Sequence, residues 1–372
     1  MYPILVVGAG KIGASIAKLL AHSGDYHVLV ADRDEAVLSR LAAQAPVKTQ
    51  LLNVRAPEQL AEALAGRRAV LSATVFDVNH VIAKAALSAG ASYFDLTEDV
   101  STTRKIKAIA KQAAPGQIFM PQCGLAPGFI GILAHALTER FEKLDTVKMR
   151  VGALPQYPAN HMKYNLTWST DGLINEYCNP CEAIHAGRKM EVLALEGLEH
   201  FALDGLEYEA FNTSGGLGTL CDTLAGKVEE LNYKTVRYPG HQYLMQFLIS
   251  GLKMGSSKAR RKQLKEILES ALPITRQDVV LIFCSVSGWH EGQYLQIVDA
   301  RKIYHQDVLG EHWSSIQITT AAGAAAVVDL HREGKLAGQG FVSQEFVELE
   351  GFLGNRFGEY YAIDRHAQKV PV

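Results

Sequence analysis

The sequence predicts an α/β protein: a doubly wound parallel sheet followed by a second, α+β domain that serves substrate binding or dimerisation. Three observations carry this. The chain opens on an apolar run, Ile4-Leu5-Val6-Val7, that leads straight into Gly8-Ala9-Gly10-Lys11-Ile12-Gly13 and a helical pattern. Short apolar runs then alternate with amphipathic stretches over roughly the first third of the chain, the pattern of a buried parallel sheet with crossover helices. After Gly128 the rhythm changes to strands separated by long loops rich in Gly, Asn, Tyr and Trp.

The glycine turn comes first. In such a turn the first glycine permits the sharp bend, the second lets backbone approach a pyrophosphate, and the third lets helix pack on strand. The helix that follows offers free N–H groups and its positive dipole end to phosphates. Gly8, Gly10, Lys11, Ile12 and Gly13 are therefore read as cofactor-binding. Asp32 ends the run Val28-Leu29-Val30, where an acidic residue takes the adenosine ribose hydroxyls of NAD. It would repel a 2′-phosphate by about 4 kcal/mol at ~4 Å and an effective dielectric of ~20. Arg33 can offset part of that, so NAD is expected and NADP is the alternative. Asp32 also reads as a helix N-cap, with Asp34 its rival.

The remaining elements complete a Rossmann sheet over residues 1–128. Runs at 28–31, 69–73, 92–96 and 117–120 read as strands, and 34–44, 57–65, 78–89 and 102–114 as helices; with the opening run and a third strand between the helices at 34–44 and 57–65, that makes six strands with crossovers. Pro57 opens a helix and Gly90 closes one. Ligands sit beyond the carboxyl ends of such strands. Thr74 and Val75 should flank the nicotinamide ribose, and Cys123 and Gly124 should line the nicotinamide pocket. Hydride transfer needs no thiolate, so Cys123 is not read as catalytic. Glu98 and Asp99 follow the fifth strand. A carboxylate there can hold a substrate ammonium or take its proton; it can equally cap the next helix.

Residues 129–372 form the second domain. A connecting helix is expected over 129–141, strands over 146–153, 162–168, 279–286 and 294–299, and a helix crowded with small residues over 314–330. That last helix suits close packing on the first domain or on a second subunit, and the segment from about 314 to 372 is a candidate to pack back on the first domain. Composition is ordinary: 48% hydrophobic, 20% charged, net charge −2, so nucleic acid and anionic membranes are not expected partners. No apolar run is long enough to span a membrane. The first residues already read as a core strand rather than a signal peptide, and five cysteines fit reduced thiols, so a cytoplasmic protein is expected. Cys178, Cys181 and His185 suggest a metal site, but no second pair has matching spacing; ordinary packing is expected and no metal. The basic stretch Lys258-Ala259-Arg260-Arg261-Lys262 reads as the solvated face of a helix over 258–270.

Five ordered segments resemble the saccharopine dehydrogenase / lysine 6-dehydrogenase family over almost the full length. They are Cys123-Gly124-Leu125-Ala126-Pro127-Gly128-Phe129, Val151-Gly152-Ala153-Leu154-Pro155, Tyr164-Asn165-Leu166-Thr167-Trp168-Ser169, Tyr208-Glu209-Ala210-Phe211-Asn212-Thr213-Ser214-Gly215-Gly216 and Arg237-Tyr238-Pro239-Gly240-His241. The resemblance implies NAD(P)-dependent oxidation of the ε C–N bond of saccharopine or of L-lysine, with 2-aminoadipate 6-semialdehyde as product, in a homodimer. Ala126 stands where the glutamate-forming saccharopine enzymes carry an aspartate, which leans toward the lysine-oxidising branch. So does the segment around Thr213.

An amino-acid substrate brings a carboxylate, and a guanidinium grips a carboxylate bidentately. Arg237 is the first choice, and the resemblance places the family's carboxylate-binding arginine in the same segment. His241 can bond the same carboxylate or cap a turn. Trp168 and Thr213, within the shared segments, are read as substrate-binding. Lys163 and Tyr164 join Glu98 and Asp99 as acid/base candidates. Two rivals stay open: an enzyme of the carboxynorspermidine or homospermidine type that forms secondary amines reductively, and a non-catalytic NAD(H)-binding sensor.

Overall fold

The structure, a computed structural model, describes residues 1–363. The first domain runs β1 (Tyr2–Val7), α1 (Lys11–His22), β2 (Tyr26–Asp32), α2 (Glu35–Ala42), β3 (Lys48–Leu51), α3 (Pro57–Leu64), β4 (Ala69–Ser72), α4 (Phe76–Ala89), β5 (Ser92–Asp95), α5 (Val100–Ala110) and β6 (Ile118–Met120). A helix, α6 (Phe129–Thr138), leads out. The second domain follows with β7 (Lys143–Pro155), α7 (Thr170–Cys178), β8 (Cys181–His185), β9 (Arg188–Val192), β10 (Glu199–Leu203), β11 (Leu206–Asn212), α8 (Leu220–Leu224), β12 (Glu230–Arg237), α9 (His241–Gln246), α10 (Lys258–Ala271), β13 (Asp278–His290) and β14 (Gln293–Tyr304). The chain ends with β15 (Gln306–Val308), β16 (Glu311–Trp313), α11 (Ser315–Arg332), β17 (Gly340–Phe341) and α12 (Leu349–Leu353).

The first sheet has the order β17-β6-β5-β4-β1-β2-β3, and all its pairings are parallel. The strand period of two explains its burial on both faces. Ile4 and Val6 of β1 enter one core with α1 and α11, while Leu5 and Val7 enter another with α3 and α4. The sheet has seven strands rather than the expected six, because β17 adds beside β6. The third strand, β3, is an edge strand whose Lys48, Thr49 and Leu51 are exposed, so it carries no apolar run.

The second sheet has eight strands around the path β10-β11-β12-β7-β13-β14, with the β8–β9 hairpin joined to β12. The expected strands at 279–286 and 294–299 are the middle of the longer hairpin β13–β14, paired from Val279–Tyr304 to His290–Gln293. The expected strand at 162–168 does not form. Lys163 has φ +48, which breaks an extended chain, and the next four residues are all buried rather than alternating. That stretch makes a single bridge, Leu166 with Ile274.

Residues beyond Ser314 return to the first domain. Ser314 caps α11 through its side chain. The small face of α11 packs on α1, and Gly323 lies so close to the junction loop that a Cβ there would sit 2.8 Å from the Gly124 carbonyl oxygen. Asp329, fully buried on α11, accepts hydrogen bonds from Tyr26, Arg332, Asn355 and Arg356. The basic face of α10 is solvated, with Leu264 and Leu268 turned inward. No helix among the described residues is long and apolar enough to cross a membrane.

Candidate active site

The glycine turn joins β1 to α1 at the carboxyl edge of the sheet. Gly8 has φ +101, and a Cβ there would lie 2.8 Å from the Ala73 carbonyl oxygen. A Cβ at Gly13 would lie 1.9 Å from the Gly8 carbonyl oxygen, whereas one at Gly10 would meet nothing within 4 Å. Two glycines thus serve internal packing and the third leaves open space in front of the helix. Gly10 caps α1 without a side-chain acceptor, and no acidic residue occupies the first turn. The end of α1 is therefore free to receive phosphate oxygens. Ile12 begins the helix half-buried. Lys11 Nζ reaches away to Ser314 Oγ at 2.9 Å and ties the turn to the start of α11.

Asp32 ends β2 beside the glycine turn. Its Oδ2 accepts from the Ala9 N–H at 2.7 Å and its Oδ1 from the Asp34 N–H at 3.0 Å. The helix cap is Asp34, whose carboxylate accepts from the Ala36 and Val37 N–H groups. Arg33 is exposed and lines an open groove with Asp34, Glu35, Ala36 and Ser39.

Thr74 and Val75 follow β4 beside the glycine turn. Thr74 Oγ1 bonds Ser72 and Asn79, and Val75 is exposed. At the end of β5 the buried Asp95 carboxylate accepts from the Thr97 and Gln122 N–H groups, the Tyr93 hydroxyl and Asn79, so it fixes the loops after β5 and β6. Burial raises its pKa to about 6, against those hydrogen bonds. Gly124 packs against Pro127 and Thr320. Cys123 lies inside the wall rather than on it: it is 1% exposed, its Sγ donates to the Met120 carbonyl at 2.9 Å, and it accepts from Gln344 at 3.0 Å. Burial pushes its thiol well up, so it is inert.

Glu98 and Asp99 separate in role. Asp99 caps α5, accepting from the Thr102 N–H at 2.6 Å. Glu98 turns toward the second domain, against the Gly215 loop and Asn175 of α7. Burial, helped by Asp99 and Asp95, raises the Glu98 carboxyl to about 7, against hydrogen bonds from its own N–H and Asn175.

Opposite Glu98, α7 and the end of β12 bring Glu176, Tyr177 and Arg237 together, with Tyr164 against them. Arg237 is 3% exposed; its Nε donates to the Tyr177 hydroxyl at 3.0 Å and its Nη1 to the Val236 carbonyl at 2.8 Å. Its guanidinium stands 5.1 Å from the Tyr164 ring centroid and 5.9 Å from that of Tyr177. No carboxylate among the described residues comes within 4.0 Å of it. Glu176, next to Tyr177 on α7, is 9% exposed and feels both Glu98 and Arg237. Nothing among the described residues hydrogen-bonds its carboxyl group. Burial first, then Glu98, pushes that carboxyl well above the ordinary range, against Arg237.

His241 is 1% exposed with both ring nitrogens engaged: Nδ1 with the Met162 carbonyl at 3.0 Å and Nε2 with the Tyr177 hydroxyl at 3.1 Å. Burial, with Arg237 beside it, lowers its pKa to about 3, so the ring is neutral. Buried Thr213 and Thr167 hydroxyls have no partner among the described residues. Trp168 packs on the start of α7, where a Cβ at Gly172 would lie 2.3 Å from its ring.

A glycine turn suited to a dinucleotide in the first domain, and a buried guanidinium with a glutamate in the second that is coupled to Glu98 of the first, form the arrangement to be compared. The saccharopine dehydrogenase NADP binding domain model matches residues 4–119, and the saccharopine dehydrogenase C-terminal domain model matches residues 124–354. The chain belongs to the saccharopine dehydrogenase family. Among solved structures it is similar to the apo saccharopine dehydrogenase (L-Glu forming) of Saccharomyces cerevisiae, 17% identical, TM-score 0.78, covering 97% of this chain and 96% of that one. At that identity the likeness is one of fold. Looser likenesses are a myo-inositol dehydrogenase of Corynebacterium glutamicum, 14% identical with coverage of 92% and 90% and a TM-score of 0.43, and a probable dehydrogenase of Thermotoga maritima, 10% identical with coverage of 94% and 94% and a TM-score of 0.46.

This saccharopine dehydrogenase-family protein is an NAD(P)-binding oxidoreductase. Its second-domain cluster sets Arg237 against Tyr164 and Tyr177, with His241 behind Tyr177, and Glu176 lies within electrostatic reach of both Arg237 and Glu98. Lys163 does not join: its side chain is exposed and donates to the Pro239 carbonyl at 3.2 Å. His241 has no nitrogen left for a substrate carboxylate. Sequence reading passed over Glu176 and Tyr177. The chain marks them only by their place at the end of a short helix opened by the capping Ser169, which does not set them apart from solvated residues. Cys178 is half-buried, Cys181 buried, and His185 pairs with Glu230 at 2.7 Å.

Proposed function

We propose that this protein is an NAD-dependent dehydrogenase that oxidises the ε C–N bond of an amino-acid substrate, L-lysine ahead of saccharopine, to give 2-aminoadipate 6-semialdehyde. The observation that carries the reading is Arg237, a buried guanidinium with no carboxylate within 4.0 Å among the described residues. A buried cation without a partner is costly, and a substrate carboxylate supplies one. The charges facing each other support lysine. The cluster offers one guanidinium and two carboxyl groups, Glu98 and Glu176. Lysine brings one carboxylate and two amines, whereas saccharopine brings three carboxylates.

Glu98 is the base in this reading. It takes a proton from the ε-ammonium, because hydride leaves the carbon only beside a neutral amine. NAD⁺ held at the Gly8–Gly13 turn and Asp32 would supply the hydride acceptor. Water then adds to the resulting imine and ammonia departs. Asp32 supports NAD over NADP, since its carboxylate suits ribose hydroxyls and repels a phosphate. The five free thiols support a reducing compartment, the cytoplasm. The exposed Trp289, Tyr294, Leu295 and Val298 of the β13–β14 hairpin support a homodimer.

The test is turnover. The protein is mixed with NAD⁺ or NADP⁺ and L-lysine, saccharopine or a carboxylated polyamine, and reduced nicotinamide is followed by absorbance. Lysine with NAD⁺ is expected to give the largest kcat/KM. Preference for the polyamine substrate would favour the secondary-amine enzyme, and cofactor binding without turnover of any amine would favour the sensor.

A further inference from the structure

Glu176 stands out among the buried groups. It is 9% exposed, its carboxyl group has no hydrogen-bond partner among the described residues, and its backbone carbonyl is pinned by the Ser214 N–H at 3.1 Å. The next residue, Tyr177, is bonded to Arg237. The side chain lies within electrostatic reach of the guanidinium, yet no group among the described residues hydrogen-bonds it. Its oxygens are not fully buried, so they keep a face open to an incoming group, and a largely buried carboxyl group with no protein partner is placed to receive a ligand.

Position separates the two glutamates. Glu98 stands on the loop after β5, at the sheet edge where the nicotinamide half of a dinucleotide lies. Glu176 stands on α7 in the second domain and feels Arg237 as well as Glu98. The order across the site is thus guanidinium, Glu176, Glu98. In a 2,6-diamino acid the order is carboxylate, α-ammonium, ε-amine. The two orders are complementary.

We infer that Glu176 is the specificity-determining residue of this site, binding the substrate's α-ammonium while Arg237 binds its α-carboxylate and Glu98 serves the reacting ε-nitrogen. This rests on the lysine reading given above. The site then selects α-amino acids that carry a distal amine, and it rejects amines lacking the α-ammonium. Burial and Glu98 disfavour charge on Glu176 in the empty site, and an incoming ammonium offsets both. A glutamine keeps the size of the side chain and removes the charge.

The experiment pairs a change in the protein with the matching change in the substrate. kcat/KM is measured for wild type, Glu176→Gln and Glu176→Asp with NAD⁺ and either L-lysine or 6-aminohexanoate, which lacks the α-amine. Wild type is expected to favour lysine by about 30-fold, the worth of one charge-assisted hydrogen bond. Glu176→Gln should lose about that factor on lysine and less than about 3-fold on 6-aminohexanoate. Glu176→Asp should recover part of the loss on lysine. Equal losses on both substrates, or no loss on either, would overturn the assignment while leaving the activity standing. If Glu176→Gln fails to fold, equal kcat/KM of wild type for the two substrates overturns it instead. A wild type inert toward both overturns the proposed activity itself.

Discussion

Arg237 Nε donates to the hydroxyl of Tyr177 at 3.0 Å, and that bond decides which edge of the guanidinium faces the site. The chain of bonds behind it has one direction. The Met162 carbonyl can only accept, so His241 Nδ1 carries the proton and Nε2 is left as an acceptor. Tyr177 therefore donates its hydroxyl proton to His241 at 3.1 Å and accepts from Arg237. Burial keeps His241 neutral, so the relay holds its polarity through the physiological range. His241 reaches Arg237 only through the Tyr177 hydroxyl.

Tyr177→Phe removes the hydroxyl and leaves the ring under Arg237. The guanidinium loses its fixed orientation but keeps its charge and burial. The apparent KM for the amino-acid substrate should rise about 10-fold, while kcat changes by less than about 3-fold. Steady-state kinetics at saturating cofactor checks this. A fall confined to kcat would show that Tyr177 takes part in the chemical step.

The pH dependence follows from Glu98. Burial, then Asp99 and Asp95, places its folded pKa at about 7, above the roughly 4.3 of an unfolded chain. A base must be ionised, so kcat/KM should climb as pH rises through about 7, and Glu98→Gln should abolish that limb with a loss of roughly 100-fold or more. Stability runs the opposite way. The folded pKa is raised, so the contribution is complete below the unfolded pKa and is lost as pH rises through about 7. Glu98→Gln should therefore melt near wild type at pH 5 and above it at pH 8. A wild-type profile flat from pH 6 to pH 8 would remove Glu98 from the role.

The dinucleotide half of the site was legible because its chemistry is local. Gly8, Gly10 and Gly13 form one turn, and spacing alone assigns their roles. Asp32 is just as local: of its two readings the structure removes the helix cap, which Asp34 takes. The substrate half is assembled from Glu98, Tyr164, Arg237 and the adjacent Glu176 and Tyr177 of α7, segments that meet only through packing. No periodicity distinguishes Glu176 from a solvated glutamate. The β8–β11 strands were missed because residues such as Arg188, Lys189 and Glu191 hide the strand pattern on an exposed hairpin. The stretch around Tyr164 misled in the other direction: its apolar content reflects burial, and its backbone is irregular.

Asp329 joins the returning C-terminal segment to the first domain. Burial pushes its carboxyl up, but hydrogen bonds from Arg356, Tyr26, Arg332 and Asn355 outweigh that and hold it at about 2. Asp329→Ala strips a buried acceptor from four donors and should cost roughly 3 kcal/mol. The folded pKa is depressed, so the stabilisation is present above the unfolded value of roughly 3.9 and lost as pH falls through about 2. Urea midpoints at pH 7 and pH 3 should show wild type and variant converging at the lower pH. A variant as stable as wild type at pH 7 would mean that the segment is held by α11 packing alone.

Gly10 and Gly13 belong to one motif but should respond differently to a single added methyl group. At Gly13 the new carbon would stand 1.9 Å from a backbone oxygen, that of Gly8, which has no freedom to yield without moving β1 from α1. Gly13→Ala should lose several kcal/mol, about 3 or more, or fail to fold. At Gly10 the backbone is extended, with φ −64 and ψ −178, and the methyl group would meet no protein atom within 4 Å. Gly10→Ala should keep its stability within about 0.5 kcal/mol. The space it fills is where a pyrophosphate must approach the backbone. NADH affinity should therefore fall by roughly 10-fold or more in a protein that melts like wild type. Thermal melts paired with fluorescence titration of NADH read both quantities on the same samples. If Gly10→Ala binds NADH as wild type does, the dinucleotide does not lie across this turn, and the placement of Glu98 beside its nicotinamide goes with it.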